Sequence, residues 1–505
     1  MLERIAQQPL LVILMGISVL AMLVPAAHAV VVDDHYVGRV FFYGAVLFAF
    51  LTSFLALAMA GRPRGNLPRR HLLALLGLFV LLPLMLAVPF HQAVRNTTFL
   101  NAYVEMVSSL TTTGATLFED PGRLPDSVHL WRALVGWLGG LFIWVSAVAI
   151  LAPMALGGFE VRARGGSGPG KGTSQITHVA DLSARIRTFG AQLFPIYTGL
   201  TLALWIGLIL AGDDAFVAFC HAMSTMATSG ISPVAGTAGG NAGYGGEVMI
   251  AVFLFFAVSR LTFTRDGVNT DVSNLRNDPE VRLAVTLVVM VPAFLFARHW
   301  LGAYEIEEEM NLLSGLASLW GSMFTVLSFL TTTGFESQAW EASQNWSGLQ
   351  TPGLILMGLA LVGGGVATTA GGVKLLRVYA LYKHGLREME KLVHPSSIGG
   401  AGGDARHLRG HGAHMAWVFF MLMTLSVALV MVLFSLTGEG FETSMVLTIS
   451  ALTTTGPLAG IAAVDPVSYG DLSDAAKLIL AGAMVLGRLE TLAIIALLNP
   501  DTWRR

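Results

Sequence analysis

Apolar residues run along this chain in blocks of two lengths, and the alternation between them sets the architecture. The long blocks fall at 10–32, 40–60, 72–90, 130–151, 189–211, 247–263, 281–300, 352–386 (interrupted), 413–436 and 472–498. A helix crossing a hydrocarbon core of about 30 Å needs about 20 mostly apolar residues. These ten blocks therefore predict membrane spans. The short blocks fall at 99–110, 216–226, 312–330 and 441–452. Most of them make roughly 15–18 Å of helix, too little to cross. Each runs straight into a Thr/Gly segment, so they predict re-entrant half-helices.

The Thr/Gly segments are an internal repeat. Thr111-Thr112-Thr113-Gly114, Thr331-Thr332-Thr333-Gly334 and Thr453-Thr454-Thr455-Gly456 are identical, and Ala227-Thr228-Ser229-Gly230 is a divergent copy. Their glycines are 116, 104 and 122 residues apart, about a quarter of the chain. The expected organisation is two leading spans (1–65) and four repeats (66–160, 161–265, 266–395 and 396–505). Each repeat is a span, a half-helix, a Thr/Gly loop and a second span. Units that begin and end on the same side pack around an axis normal to the membrane, unlike inverted repeats.

Charge orients the scheme. Placing the N-terminus, 61–71, 160–187, 260–282, 374–409 and the C-terminus on one side puts 23 of the 30 Lys/Arg there. Six lie opposite, and Arg488 falls inside a span. Basic residues mark the cytoplasmic face, so both termini are expected inside and every half-helix enters from outside. With 54% hydrophobic and 12% charged residues, disorder is excluded and a polytopic membrane protein is expected. One cysteine, Cys220, excludes a disulfide framework and a Cys-based zinc site. The 10–23 run resembles a signal peptide, but its weakly charged flank and the many following spans favour a retained helix.

Non-helical backbone at membrane depth is tolerated only when buried in protein or lining a watery cavity. Glycine lets successive carbonyls turn toward one axis, where they replace a cation's hydration shell. Threonine hydroxyls are expected to add oxygen ligands, and the C-terminal ends of the half-helices favour a cation. The alternative is that Thr and Gly merely ease helix packing. Four copies after four short helices favour a filter. Its candidate residues are Thr112, Thr113, Gly114 and Ala115; Thr228, Ser229, Gly230 and Ile231; Thr332, Thr333, Gly334 and Phe335; Thr454, Thr455, Gly456 and Pro457.

The third repeat's second span is broken by Gly363, Gly364, Gly365, Thr368, Thr369, Gly371 and Gly372. Each helix-interior glycine costs roughly 1 kcal/mol against alanine, so this stretch predicts a break, either a mobile constriction or a static kink. Lys374 and Arg377 follow it and are expected to meet solvent, lipid head groups or a regulator. Arginine at a helix centre costs about 2.5–3.5 kcal/mol, so Arg488 is expected to face a cavity or an ion-pair partner. Glu490, two residues on, is expected to contact a neighbouring repeat. Glu305, Glu307, Glu308 and Glu309 form an acidic outer loop that either concentrates cations or is simply solvated. Residues 165–172 approach a phosphate-binding loop, but Gly172 replaces the magnesium-holding Ser/Thr. An ATP-hydrolysing pump is thus a remote alternative. The His/Gly-rich 395–414 stretch reads as a solvated loop rather than a metal site.

Together these motifs resemble the Trk/Ktr/HKT superfamily of potassium transporters, and within it the bacterial TrkH-type membrane subunits. The matching stretches are 109–116, 223–232, 328–336, 450–457, 363–377 and 487–490, and the likeness extends to the two leading helices. It implies an all-α membrane protein with a pseudo-fourfold, potassium-channel-like pore, taking up K+ across the bacterial inner membrane. It implies no enzyme activity, no cofactor beyond the transported ion and no nucleic acid. It further implies a homodimer and a cytosolic nucleotide-binding regulator with RCK/KTN domains. The glycine-rich break with Lys374 becomes a gating loop, and Arg488 an electrostatic barrier beneath the filter. Members with serine at the first filter glycine tend toward sodium, so Gly114 favours potassium, and a sodium-selective or sodium-coupled transporter is the alternative. Ser229 and the Gly456-Pro457-Leu458 sequence depart from the usual pattern.

Overall fold

The computed structural model describes residues 9–59, 68–152, 158, 182–259, 278–303, 312–347, 353–394, 412–463 and 465–490. Among these, all regular structure is helical. Two helices lead, α1 (Leu10–Val31) and α2 (His35–Ala58), packed against each other. Asp34 caps α2 by accepting from the Val37 amide at 3.2 Å.

Taken by the four stretches expected as repeats, the first is α3 (Pro68–Ala93), the short α4 (Phe99–Leu110) and α5 (Asp126–Ser146). The second is α6 (Leu182–Leu210), α7 (Ala215–Ala227) and α8 (Gly243–Leu254). The third is α9 (Pro279–Ala303), α10 (Leu312–Leu330), the short outer α11 (Trp340–Ser347), α12 (Gly353–Val362) and α13 (Leu375–Val393). The fourth is α14 (Ala413–Leu436), α15 (Phe441–Leu452), one turn α16 (Leu458–Ile461) and α17 (Asp474–Leu489).

Among the described residues, seven helices are long and apolar enough to cross a membrane, and each matches one of the ten expected spans. The other three differ. The 247–263 span appears as α8, which ends in a tight turn at Phe255–Ala257. The 352–386 span is broken as expected, between α12 and α13. The last span is helical only to Leu489, where Glu490 takes a left-handed φ of 59°. Residues 491–498 lie outside the described residues. Of the short blocks, 99–110, 312–330 and 441–452 are helices at those bounds, and 216–226 gains one residue at each end.

Large apolar side chains face outward on the long helices, with Leu20 68%, Phe50 76% and Leu210 81% exposed. Such a surface matches lipid tails and not water. The interior is closed by a cyclic set of contacts: each helix after a Thr/Gly turn packs on the next repeat's short helix. The pairs are α5 on α7, α8 on α10, α12 on α15 and α17 on α4.

Candidate ion pathway

Each short helix ends in the same way. The third residue of the motif donates its amide back to a carbonyl five residues earlier: Thr113 to Ser108 (2.8 Å), Ser229 to Ser224 (3.0 Å), Thr333 to Ser328 (2.9 Å) and Thr455 to Ser450 (2.8 Å). This is a Schellman cap, which needs one left-handed residue and ordinarily uses glycine. Here the residue is threonine in every copy, with φ of 55° at Thr112, 50° at Thr228, 57° at Thr332 and 55° at Thr454. A β-branched residue in that region is a strained outlier, costing of order 1–2 kcal/mol. Backbone strain of this kind clusters at functional sites.

The four accepting residues, Ser108, Ser224, Ser328 and Ser450, all stand six places before the glycine. Each also braces the turn through its hydroxyl. Ser108 donates to Ala115 O (2.6 Å), Ser224 bonds the Ser229 hydroxyl (3.1 Å), Ser328 accepts from Phe335 N (2.7 Å) and Ser450 donates to Thr455 O (3.0 Å). The repeat therefore reads Ser-x-x-Thr/Ala-Thr-Thr/Ser-Gly. The serine was visible in all four copies but is missed when only the Thr/Gly run is aligned.

The outer threonines of each triplet spend their hydroxyls inside the turn. Thr111 donates to Val107 O and pairs with Thr113 at 2.8 Å, and the same pattern holds for Thr331 with Thr333 (3.2 Å) and Thr453 with Thr455 (3.1 Å). Of the threonines expected to offer oxygen ligands, the middle one of each triplet keeps its hydroxyl out of these bonds, whereas Thr228 donates to Ala227 O at 2.7 Å. At Thr112 and Thr454 that hydroxyl is buried and finds no partner among the described residues.

The glycines meet in cyclic order. A Cβ on Gly114 would strike Ser229 O, one on Gly230 would strike Thr333 O, one on Gly334 would strike the Pro457 ring, and one on Gly456 would strike Ala115 N. Gly114, Gly230 and Gly334 have φ of +73°, +66° and +84°. Outside them opens a cavity of about 920 Å³ lined by all four glycines together with Thr116, Ser232, Glu336 and Tyr469. Its rim is held from the residue nine before the glycine. Buried Glu105 accepts from Leu117 N (3.0 Å) and pairs with Arg132 at 2.7 Å. His221 bridges Asp213 (3.4 Å) and Ser232 (2.9 Å), and Thr325 accepts from Ser337 N (3.2 Å). Glu247 adds a buried carboxylate filled by Trp320, Ser337 and Gln338.

Inside the turns lies the 363–374 loop. It closes on itself, Val373 N donating to Leu361 O and Lys374 N to Val362 O, both at 2.9 Å. Gly363 and Gly372 have φ of +74° and +76°, and their Cα atoms sit so close that no side chain fits. Four outside contacts pin the loop. Gly365 N donates to Ala257 O (3.0 Å), Val366 N to Glu280 (2.8 Å), Gly371 N to the Thr332 hydroxyl (2.7 Å), and the Thr369 hydroxyl to Met226 O (3.3 Å). The loop therefore touches the third Thr/Gly turn directly.

The charges beside the loop are buried, which corrects the expectation that Lys374 and Arg377 reach solvent, lipid or a regulator. Lys374 donates its ammonium to Ala370 O. Arg377 is 0% exposed, pairs with Glu490 at 2.6 Å and stacks 3.6 Å from the Phe419 ring centre. Glu490 does contact another repeat. Arg377 sits at the start of a helix whose next turns leave the protein body, so its position after the break suggested exposure. Its long-range carboxylate and aromatic partners draw it inward instead. Arg488 is also buried, and two of its nitrogens find no acceptor among the described residues. It borders a void of about 20 Å³ with Thr368, Gly371, Lys374 and Glu490. The acidic 305–309 residues, the 165–172 stretch and 395–411 lie outside the described residues.

Short helices ending in matched polar turns inside a multi-helix membrane body define a polytopic membrane transport protein. The family model for TrkH cation transport proteins matches residues 81–235 and 283–501. This chain belongs to the TrkH family. It is 31% identical over 437 residues to the Trk system potassium uptake protein TrkH of Halomonas elongata, covering 86% of this chain and 84% of that one. It is 30% identical to the Salmonella typhimurium protein of the same description, over 90% and 91% of the two chains. The crystal structure of the potassium transporter TrkH from Vibrio parahaemolyticus superposes with a TM-score of 0.79 at 25% identity, covering 100% of both chains.

Proposed function

We propose that this protein takes up K+ through a single central pore formed by four repeats in pseudo-fourfold arrangement. The repeats are 66–160, 161–265, 266–395 and 396–505, with 1–65 outside them. The carbonyls of the four Thr/Gly turns are the selectivity filter. The observation that carries this reading is the strained threonine in each of four turns whose glycines abut in cyclic order. Carbonyls fixed by protein packing are preorganised to replace an ion's hydration.

Below the filter, the 363–374 loop is the gate and Arg488 the barrier. The arginine's unpaired nitrogens and the small adjoining void fit a charge set to oppose a descending cation. Inward movement is favoured by about 2.3 kcal/mol per charge for about 100 mV inside negative, so this chain needs no hydrolysis of its own. The bacterial inner membrane is its location, with both termini cytoplasmic. A homodimer and a cytosolic RCK/KTN regulator complete the assembly.

Purified protein in liposomes under a potassium diffusion potential tests the reading. Uptake of K+ and Rb+ well above Na+ is expected. Uptake of Na+ equal to or above K+ would establish the sodium alternative instead.

A further inference from the structure

The fourth Thr/Gly turn differs from the other three in what its carbonyls bind. Among the described residues, no protein group donates to the carbonyl oxygen of Gly114, Gly230 or Gly334. All three glycines have left-handed φ, and Gly456 does not. From Thr455 the chain coils at once. Leu458 N donates to Thr455 O and Ala459 N to Gly456 O, both at 3.2 Å, and this opens α16.

Two hydroxyls complete the capture. The Tyr469 hydroxyl donates to Gly456 O at 2.8 Å, and Ser450 donates to Thr455 O at 3.0 Å. The two hydroxyl oxygens lie 2.5 Å apart, so with Tyr469 donating to Gly456 the single Ser450 proton is shared between Thr455 O and the Tyr469 oxygen. A carbonyl oxygen has two lone pairs, and those of Gly456 are taken by Ala459 N and Tyr469. Tyr469 is buried in the lining of the outer cavity, and among the described residues nothing equivalent bonds the carbonyls of the other three glycines.

We propose that the glycine carbonyl ring of the filter is built by three repeats, and that Tyr469 is the positioning residue that withholds the fourth carbonyl. The proposal rests on the filter reading above. A three-carbonyl ring leaves one side of the ion to water, which weakens discrimination by a dehydrating ring. Tyr469 therefore sets selectivity without touching the ion.

The test is the K+/Na+ permeability ratio in liposomes for Tyr469→Phe and Ser450→Ala, at matched monodispersity and melting temperature. Freeing a lone pair on Gly456 O should raise the ratio by up to about fivefold, the weight of one neutral hydrogen bond. Ser450→Ala should move it the same way by less. An unchanged ratio overturns the proposal, and so does a fall, since it would make the hydroxyl a mere prop. Should one variant fail to assemble, the other carries the test. Gly114→Ser is run alongside: if it shifts the ratio and Tyr469→Phe does not, only the three-carbonyl ring is lost. If Gly114→Ser also leaves the ratio unchanged, the filter reading itself falls.

Discussion

Two kinds of non-helical backbone lie inside this membrane protein, the four Thr/Gly turns and the 363–374 loop, and they differ in the charges around them. The four Thr/Gly turns are braced by neutral hydroxyls and amides, mostly within seven residues of sequence, with Tyr469 the more distant brace of the fourth. The 363–374 loop is surrounded by charges: Glu280 on its backbone, Lys374 on its own carbonyl, and the Arg377–Glu490 pair beside it. Local neutral bonds give a rigid and repeatable geometry. Long-range charged contacts tie together elements that are distant in sequence, and each one has a large penalty for being broken alone. That contrast suits the proposed assignment of the turns to a filter and of the loop to a gate.

Glu490→Ala should show the contrast most strongly. It leaves the fully buried Arg377 without its carboxylate, and breaking such a pair costs about 3–5 kcal/mol. Ser328→Ala removes one neutral brace from the third turn and should cost only about 1 kcal/mol. Thermal unfolding in detergent, both variants against the parent, gives the two losses. Equal losses would erase the distinction between the regions.

Gly114→Ser comes next. It places a side chain on a residue at φ +73° that abuts Ser229 O, at roughly 1–2 kcal/mol of backbone strain before the clash is counted. Assembly should survive, while the reversal potential under mixed K+ and Na+ shifts toward the Na+ equilibrium value. An unmoved potential would count against a filter at this turn.

Thr332 belongs to both regions, since its hydroxyl accepts from Gly371 N. Thr332→Val keeps the shape and deletes the acceptor, a loss of about 1 kcal/mol that falls on the loop. Resting K+ flux should rise about fivefold, and Thr332→Ser should restore it. Flux at the parent level in the valine variant would show that filter and loop are not coupled here.

The same contrast decided what was legible in the sequence. Repetition made the turns readable: α4 and α15 end where their Thr/Gly runs begin, at Leu110 and Leu452. What repetition conceals is which residue bears the strain. Glycine is the usual left-handed residue, so the threonines before it gave no warning. The loop was readable as a glycine-rich break, but its charges were not. Arg377 and Glu490 are 113 residues apart, and no local pattern pairs them. Tyr469 lies outside every repeat motif, so its contact with Gly456 is visible only in three dimensions.

The smallest expected effect lies at the outer cavity, where one carboxyl titrates near neutrality. Burial raises Glu336 from the ordinary 4.5 to about 7. A carboxyl raised on folding binds its proton more tightly in the folded state. Its contribution to stability is therefore full below the ordinary value and is lost as pH rises through about 7. Flux should run the other way. Above about 7 the carboxylate adds negative charge beside the filter mouth and concentrates cations there. Below it that charge is gone, while Glu119 and Glu341 still line the cavity and Arg132 stays tied to Glu105. Uptake at low K+ should thus climb modestly as outside pH is stepped across about 7, and high salt should flatten the climb by screening. Glu336→Gln should remove the pH dependence and leave the K+/Na+ ratio alone, because the residue sits outside the carbonyl ring. A pH dependence that survives unchanged in Glu336→Gln would show that this carboxyl is not its source.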